Sequence, residues 1–183
     1  IAYSSVVHMN IGLLGLFTQT SAGLIGFIFL MVSHGIISSA LFFGVGMLYE
    51  RIHTKNILYI QGLSRVMPKF SVFFLLFCLA NLSLPGTCNF IGEILVFLSL
   101  GVENSYFALM IGVFSAFFCT LFCLILIVKT LYGQIDRKFG VIYDLTNAET
   151  FIMFILFFYV ILFGLCPGFI IQNLEVLEYT FIN

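Results

Sequence analysis

Apolar residues run through this chain in five long blocks, and polar positions gather in the gaps between them. The blocks cover about residues 1–17, 22–48, 70–100, 106–132 and 150–171. A helix rises about 1.5 Å per residue and a hydrocarbon core is about 30 Å thick, so about 20 apolar residues cross it once. The first block is only just long enough, and the second, fourth and fifth each suit one span. The third is too long for one straight helix and contains Pro85-Gly86. Pro85 cannot donate to the carbonyl four residues back, and its ring clashes with the preceding turn. The pattern predicts an all-α membrane protein with five transmembrane helices, the third broken near residues 83–89. Irregular backbone at membrane depth persists only where protein or a water-filled cavity satisfies its polar groups. No internal repeat, low-complexity tract or soluble domain interrupts the pattern, so residues 1–183 are expected to form a single membrane domain.

Composition supports the same class. Of 183 residues, 62% are hydrophobic and 8% charged, with mean hydropathy +1.19. A soluble domain carries about 25% charged residues, so these charges are too few to cover a water-exposed surface. The surroundings implied are membrane lipids, and a net charge of −1 gives no ground for a nucleic-acid partner. The first residues hold no basic stretch and no cleavage pattern, so they read as the continuation of something upstream rather than as a signal peptide.

The charges sort by loop. Residues 49–69 carry Arg51, Lys55, Arg65 and Lys69 against Glu50, and the stretch 129–149 carries Lys129, Arg137 and Lys138. With five spans, loops 49–69 and 133–149 fall on one side, and Glu103 with the acidic tail of Glu175 and Glu178 on the other. The positive-inside rule puts the basic loops on the cytoplasmic side, or on the matrix side in a mitochondrion.

Three titratable groups sit well inside apolar blocks: His8, His34 and Glu93. Lys129, nearer an end, is a further candidate. A charge at the bilayer centre costs from about 2.5 kcal/mol upward, so such residues normally face a bundle interior or a wet path. Ser4 and Ser5 lie one turn before His8 and offer it a hydroxyl on the same helix face. Gly35 and Ser38 follow His34 at a spacing that suits close helix packing. Glu93 follows the Pro-Gly break, where a helix N-terminus would favour its charged form and burial its neutral form, so it could switch charge when its surroundings shift. A histidine changes charge near neutral pH. Three such groups on successive segments, bridged by water, would make a proton relay. The Cys119/Cys123 pair has helical spacing, but no neighbour in sequence completes a metal site, so the five cysteines read as buried small hydrophobes.

The blocks IAYSSVVHMN, FLMVSHGIISSALFFGVGMLYERIHTK and QGLSRVMPKFSVFFLLFCLANLSLPGTCNFIGE closely resemble the chain 4 family of NADH–ubiquinone oxidoreductase, respiratory complex I. YERIHTK points to chain 4 rather than to its sister chains 2 and 5. The resemblance covers about residues 1–96, and the last two blocks agree only in length and hydropathy. It implies the C-terminal part of a fourteen-helix antiporter-like bundle, with the blocks here as helices ten to fourteen. It also implies a proton-translocating membrane-arm subunit in the mitochondrial inner membrane, with the C-terminus on the intermembrane-space side. Its proton-path residues map to His8 in the SxxHM block, His34 in the HG block and Glu93 in the GE pair, while His53 takes a structural or inter-subunit role. The complex is an H+-translocating NADH:ubiquinone reductase. The resemblance implies no cofactor and no metal in this chain, because NADH, FMN, iron–sulfur clusters and ubiquinone bind to other subunits. The family's DLK-type stretch and the lysines and glutamate of its first half are absent from these residues. The expected partners are therefore other membrane-arm subunits, chains 2 and 5 among them, and a separate N-terminal chain 4 piece, unless the sequence is itself truncated. The rival readings are a subunit of a multi-subunit cation/proton antiporter and a non-transporting structural membrane segment.

Overall fold

The structure, a computed structural model, describes residues 1–54, 56–57, 60–133, 142–168 and 171–174. All its assigned elements are helices: α1 (Ala2–Phe17), α2 (Ser21–Ile52), α3 (Leu63–Val66), α4 (Pro68–Asn81), α5 (Cys88–Val102), α6 (Tyr106–Leu131) and α7 (Asn147–Leu165). Of the charges used above for orientation, Lys55, Arg137, Lys138, Glu175 and Glu178 lie outside the described residues.

The ends of these helices follow from local chemistry. Thr20 caps α2 by accepting a hydrogen bond from Gly23 N at 3.1 Å. α2 then runs beyond residue 48 through Tyr49, Glu50 and Arg51, polar residues that do not stop a helix. It ends where His53 turns left-handed at φ 55°. α7 begins earlier than the apolar run, because Thr146 and Glu149 form a capping box. It stops at Leu165, just before Cys166-Pro167, as a following proline disfavours helical backbone at the residue ahead of it.

The third apolar block divides into α4 and α5, with non-helical backbone at residues 82–87. Cys88 and Asn89, expected inside the break, are already helical. Ser83 at φ 56° and Gly86 at φ 96° turn the chain through the break. Thr87 closes it, its hydroxyl donating to Leu84 O at 2.8 Å. Gly164 of α7 lies so near that a Cβ there would overlap the backbone of Gly86 and Thr87.

A tight turn at Thr18–Thr20 folds α1 back along α2. Its hydroxyls contact each other at 3.0 Å. α5 then presses on α2 backbone to backbone, since a Cβ on Gly92 would stand 2.9 Å from the Leu30 Cα. The main core joins Phe29, Ile37 and Leu41 of α2 to Phe70 and Phe77 of α4 and Met153 and Val160 of α7. A smaller core of Ile11, Leu30, Val96 and Leu100 lies under α1 and α5. α2, α6 and α7 are long and apolar enough to cross a membrane. Large apolar side chains such as Phe107, Phe114, Phe151 and Phe154 point outward from α6 and α7, as lipid or further helices would require.

Candidate functional site

The α1–α2 hairpin sets the geometry. His8 lies about ten residues before its turn and His34 about fourteen after it, so antiparallel pairing brings them to similar depth. Their ring centroids lie 4.9 Å apart, with the ring planes tilted by 34°. Glu93 joins from α5: its Oε1 is 2.9 Å from His8 Nδ1. The three residues are 2%, 3% and 8% exposed, so this is a buried ionisable cluster rather than a solvated one.

Polar neighbours complete it. Asn89, one helical turn before Glu93, places its Nδ2 3.3 Å from Glu93 Oε1, 3.4 Å from His8 Nδ1 and 2.9 Å from Ser83 Oγ. Its Oδ1 accepts from Ser33 Oγ at 3.4 Å. His34 Nε2 is 3.1 Å from Ser5 Oγ. On the far side of His8, Nε2 lies 3.7 Å from Cys119 Sγ on α6. A cavity of about 390 Å³ opens beside the pair, lined by His8, Asn81, Ser83, Glu93, Cys119 and Thr120 among others. Asn81 donates to Cys123 Sγ at 3.3 Å, while its buried Oδ1, like His34 Nδ1, has no hydrogen-bond partner among the described residues. A buried polar atom beside a roomy cavity is where ordered water is expected.

Several expectations about these residues need correcting. Ser5 serves His34 rather than His8, and Ser4 Oγ turns back to Ile1 O at 2.6 Å. Among the described residues a Cβ on Gly35 would meet no neighbour, and the Ser38 hydroxyl bonds to Gly35 O of its own helix, so close helix packing falls at Gly26 and Gly92 instead. Glu93 is the sixth residue of α5, and no acid lies in its first turn. The helix dipole fades within one turn, so the groups that face the Glu93 carboxylate are His8 and Asn89 rather than the helix N-terminus. The Cys119/Cys123 pair does have a histidine beside it, contributed by α1. Even so, no three His, Cys, Asp or Glu side chains among the described residues are arranged to hold a metal ion.

Lys129 is not brought to the cluster. It lies exposed in the last turn of α6, about 15 Å along the helix from Cys119. His53 stands at the end of α2, its ring edge-on to Tyr49 at 6.1 Å. Asn89, Ser33, Ser83 and Asn81 escaped the sequence reading, and Cys119, read there as a buried small hydrophobe, lies against His8. Only Asn89 left a local signal, its helical i, i+4 spacing to Glu93.

The arrangement can hold a proton between His8 and Glu93 and exchange it with water in the cavity. The two imidazoles meet as a tilted pair, with no nitrogen-to-nitrogen hydrogen bond between them, so transfer between them needs a bridging hydroxyl or water.

Comparison with known proteins bears on the family and on the fold that carries these residues. The family model described as NADH:quinone oxidoreductase/Mrp antiporter, TM, matches residues 1–119. The NADH-ubiquinone oxidoreductase chain 4 of Acanthamoeba castellanii is 39% identical over 184 aligned residues, covering 100% of this chain and 37% of that protein. A chain of respiratory complex I from Thermus thermophilus with bound NADH superposes with a TM-score of 0.90 at 28% identity, over 98% of this chain and 38% of that one. A chain of the Mrp complex from Dietzia sp. shares the fold, with a TM-score of 0.79 at 15% identity, over 89% of this chain and 38% of that one. The sequence thus spans a little over a third of the proteins it matches.

Proposed function

This chain belongs to the NADH:quinone oxidoreductase/Mrp antiporter transmembrane family, and we propose that it is the C-terminal portion of a chain 4 subunit in the proton-translocating arm of respiratory complex I. It is a multi-pass membrane protein, which in this reading crosses the mitochondrial inner membrane five times as a single membrane domain. α1, α2, α6 and α7 each make one crossing, and α4 with α5 make one interrupted crossing. Loops 49–69 and 133–149 face the matrix, and the C-terminus faces the intermembrane space. The described charges Arg51, Arg65 and Lys69 support that orientation, since these helix ends meet at one end of the bundle, where Arg51 bonds Glu149 and Lys69 N bonds Asp144. The rest of chain 4, the sister chains 2 and 5 and other membrane-arm subunits complete the assembly. Those other subunits bind NADH, FMN, the iron–sulfur clusters and ubiquinone, and this chain moves protons without redox chemistry of its own.

The observation that carries this reading is the buried His8–Glu93 contact at 2.9 Å, set beside a helix break and packed against His34. A relay needs groups that change charge near neutral pH within reach of water, and the adjoining cavity offers that reach. His34 and His8 pass protons along the bundle axis to Glu93 in this scheme. Lys129, exposed near the end of α6, takes part only through a water path.

Glu93→Gln in membranes carrying the intact complex should leave NADH oxidation measurable while proton pumping per NADH falls by at least about tenfold. Pumping at the wild-type ratio would sink the relay. The related antiporter reading, favoured by the shared fold with the Mrp chain, predicts sodium-dependent proton flux in an assembly without NADH activity. Native electrophoresis with an in-gel NADH stain separates the two, because only a complex I subunit migrates in the stained band.

A further inference from the structure

We propose that Asn81 is a positioning residue whose amide oxygen holds water in the cavity against His8 Nε2, the atom at which the His8–Glu93 pair exchanges its proton; the inference rests on the relay reading above. The first ground is which nitrogen of His8 is free to exchange. A carboxylate only accepts hydrogen bonds, so at 2.9 Å Nδ1 keeps its hydrogen on Glu93 Oε1 whether the ring is charged or neutral. The proton that comes and goes is therefore the one on Nε2. That nitrogen lies on the far side of the ring, where its hydrogen-bonding neighbour among the described residues is Cys119 Sγ at 3.7 Å. Thiol sulfur is a weak acceptor, and a charged imidazole calls for a stronger one.

The second ground is Asn81, the last residue of α4 and only 1% exposed. Its Nδ2 donates to Cys123 Sγ at 3.3 Å, one turn along α6 from Cys119. That bond fixes the amide and leaves Oδ1, which has no hydrogen-bond partner among the described residues. Asn81 and His8 line the same cavity of about 390 Å³. At about 30 Å³ per water it has room for several. The Thr120 hydroxyl on its wall gives its hydrogen to Ala116 O at 3.0 Å. A water that donates to Asn81 Oδ1 keeps its lone pairs to accept Nε2–H, directly or through a second water. When the proton leaves, it passes to that water and the N–H electron pair stays on Nε2. The ring is then neutral, with its remaining hydrogen still on Glu93. Return of the proton reverses the step. Asn81 thus favours the charged ring through the water it holds.

The titratable groups facing the pair are His34 from α2 and Cys119 and Cys123 from α6. Cys78 of α4 lies behind Cys123, and Cys88 lies on α5 beside Ser33. All of them stay in place in the variants that follow.

The test is the pH profile of NADH-driven pumping in membranes carrying the intact complex. Asn81→Val removes the amide oxygen, so the charged ring loses its acceptor and gives up its proton sooner. The alkaline limb should move down by about half to one pH unit. Asn81→Thr has the shape of the valine variant with an oxygen restored, so its limb should return to within roughly a few tenths of a unit of wild type. A purely structural role for Asn81 lowers the thermal midpoint and the amplitude of pumping in both variants, without separating their limbs. Asn81→Asp keeps the wild-type shape and sets a carboxylate across the water, which favours the charged ring. Its limb should move up, and it tests the proposal even where Asn81→Val does not assemble. Coincident limbs for Asn81→Val and Asn81→Thr, as a lipid tail in the cavity in place of water would give, overturn the inference. So does an Asn81→Asp limb that stays in place or moves down. Glu93→Gln run alongside keeps the two readings apart: normal pumping there sinks the relay itself, whereas lost pumping with unmoved Asn81 profiles sinks only the role of Asn81.

Discussion

His8 and Glu93 depend on each other for burial. Taking one partner from a buried ion pair strands the other, at a cost of about 3–5 kcal/mol, while replacing both by apolar residues of similar volume is often tolerated. His8→Leu should therefore lower the thermal midpoint of the solubilised complex markedly. His8→Leu with Glu93→Leu should recover most of that loss yet pump no protons, because Asn89 keeps its bonds to Ser83 and Ser33. A double variant no more stable than His8→Leu would show that the pair is not the unit of stability at this site. The titratable members stood out in the sequence because charge is scarce there. Their partners did not, since Ser, Asn and Cys are ordinary in membrane helices and declare themselves only once distant segments meet. Ser5 shows the limit well: it is one turn from His8 along the chain, yet its hydroxyl goes to His34 on another helix.

At the scale of elements, the break and the hairpin do the positioning. Pro85 with Gly86 announced an interruption, and the interruption lies where the proline requires it. Which residues flank it as helix was not readable, because cap geometry and the approach of Gly164 settle that, and both belong to tertiary contact. The glycines that matter for packing were equally hidden. Gly35 beside His34 looked like a contact point and is open, whereas Gly92 beside Glu93 is pressed on Leu30. Adding a Cβ there forces α5 from α2, and overpacking of this kind costs about 1–3 kcal/mol. Gly92→Ala should therefore lower the thermal midpoint and also reduce pumping per NADH, since the shift displaces the adjacent carboxylate. Gly35→Ala, which meets only open space, should leave both as in the wild type. Equal effects at the two positions would mean that close approach of α5 to α2 does not hold the site.

Across the whole molecule, Arg51 ties α2, which carries His34, to the segment that leads into α7. From the end of α2 its guanidinium donates to Met47 O at 2.9 Å, Tyr143 O at 3.1 Å and Asp144 O at 3.5 Å, and it pairs with Glu149 Oε2 at 2.6 Å. The Asp144 carboxylate in turn accepts from Lys69 N at 2.9 Å and Phe70 N at 3.3 Å, capping the start of α4. Thus α2, which bears His34, is fastened to the starts of α4 and α7, two helices whose far ends reach the break at Asn81 and Gly164. The positive-inside count treated Arg51 as a free loop charge. Its neutralisation by Glu149 could not be read from the sequence, because 98 positions separate the two residues. The clamp implies an order of effects. Glu149→Gln keeps the capping box, which a glutamine also completes, and removes only the charge, for about 1 kcal/mol. Arg51→Met strips the carbonyl bonds as well and leaves the carboxylate unpaired, for about 2–3 kcal/mol. Arg51→Lys should fall nearer to Met than to Arg, because an ammonium lacks the planar fork that reaches two chain segments at once. Thermal midpoints of the solubilised complex would rank the three variants. If Glu149→Gln proves as damaging as Arg51→Met, the ion pair alone carries the junction, and the carbonyl bonds to Tyr143 and Asp144 do not fasten α2 to the segment leading into α7.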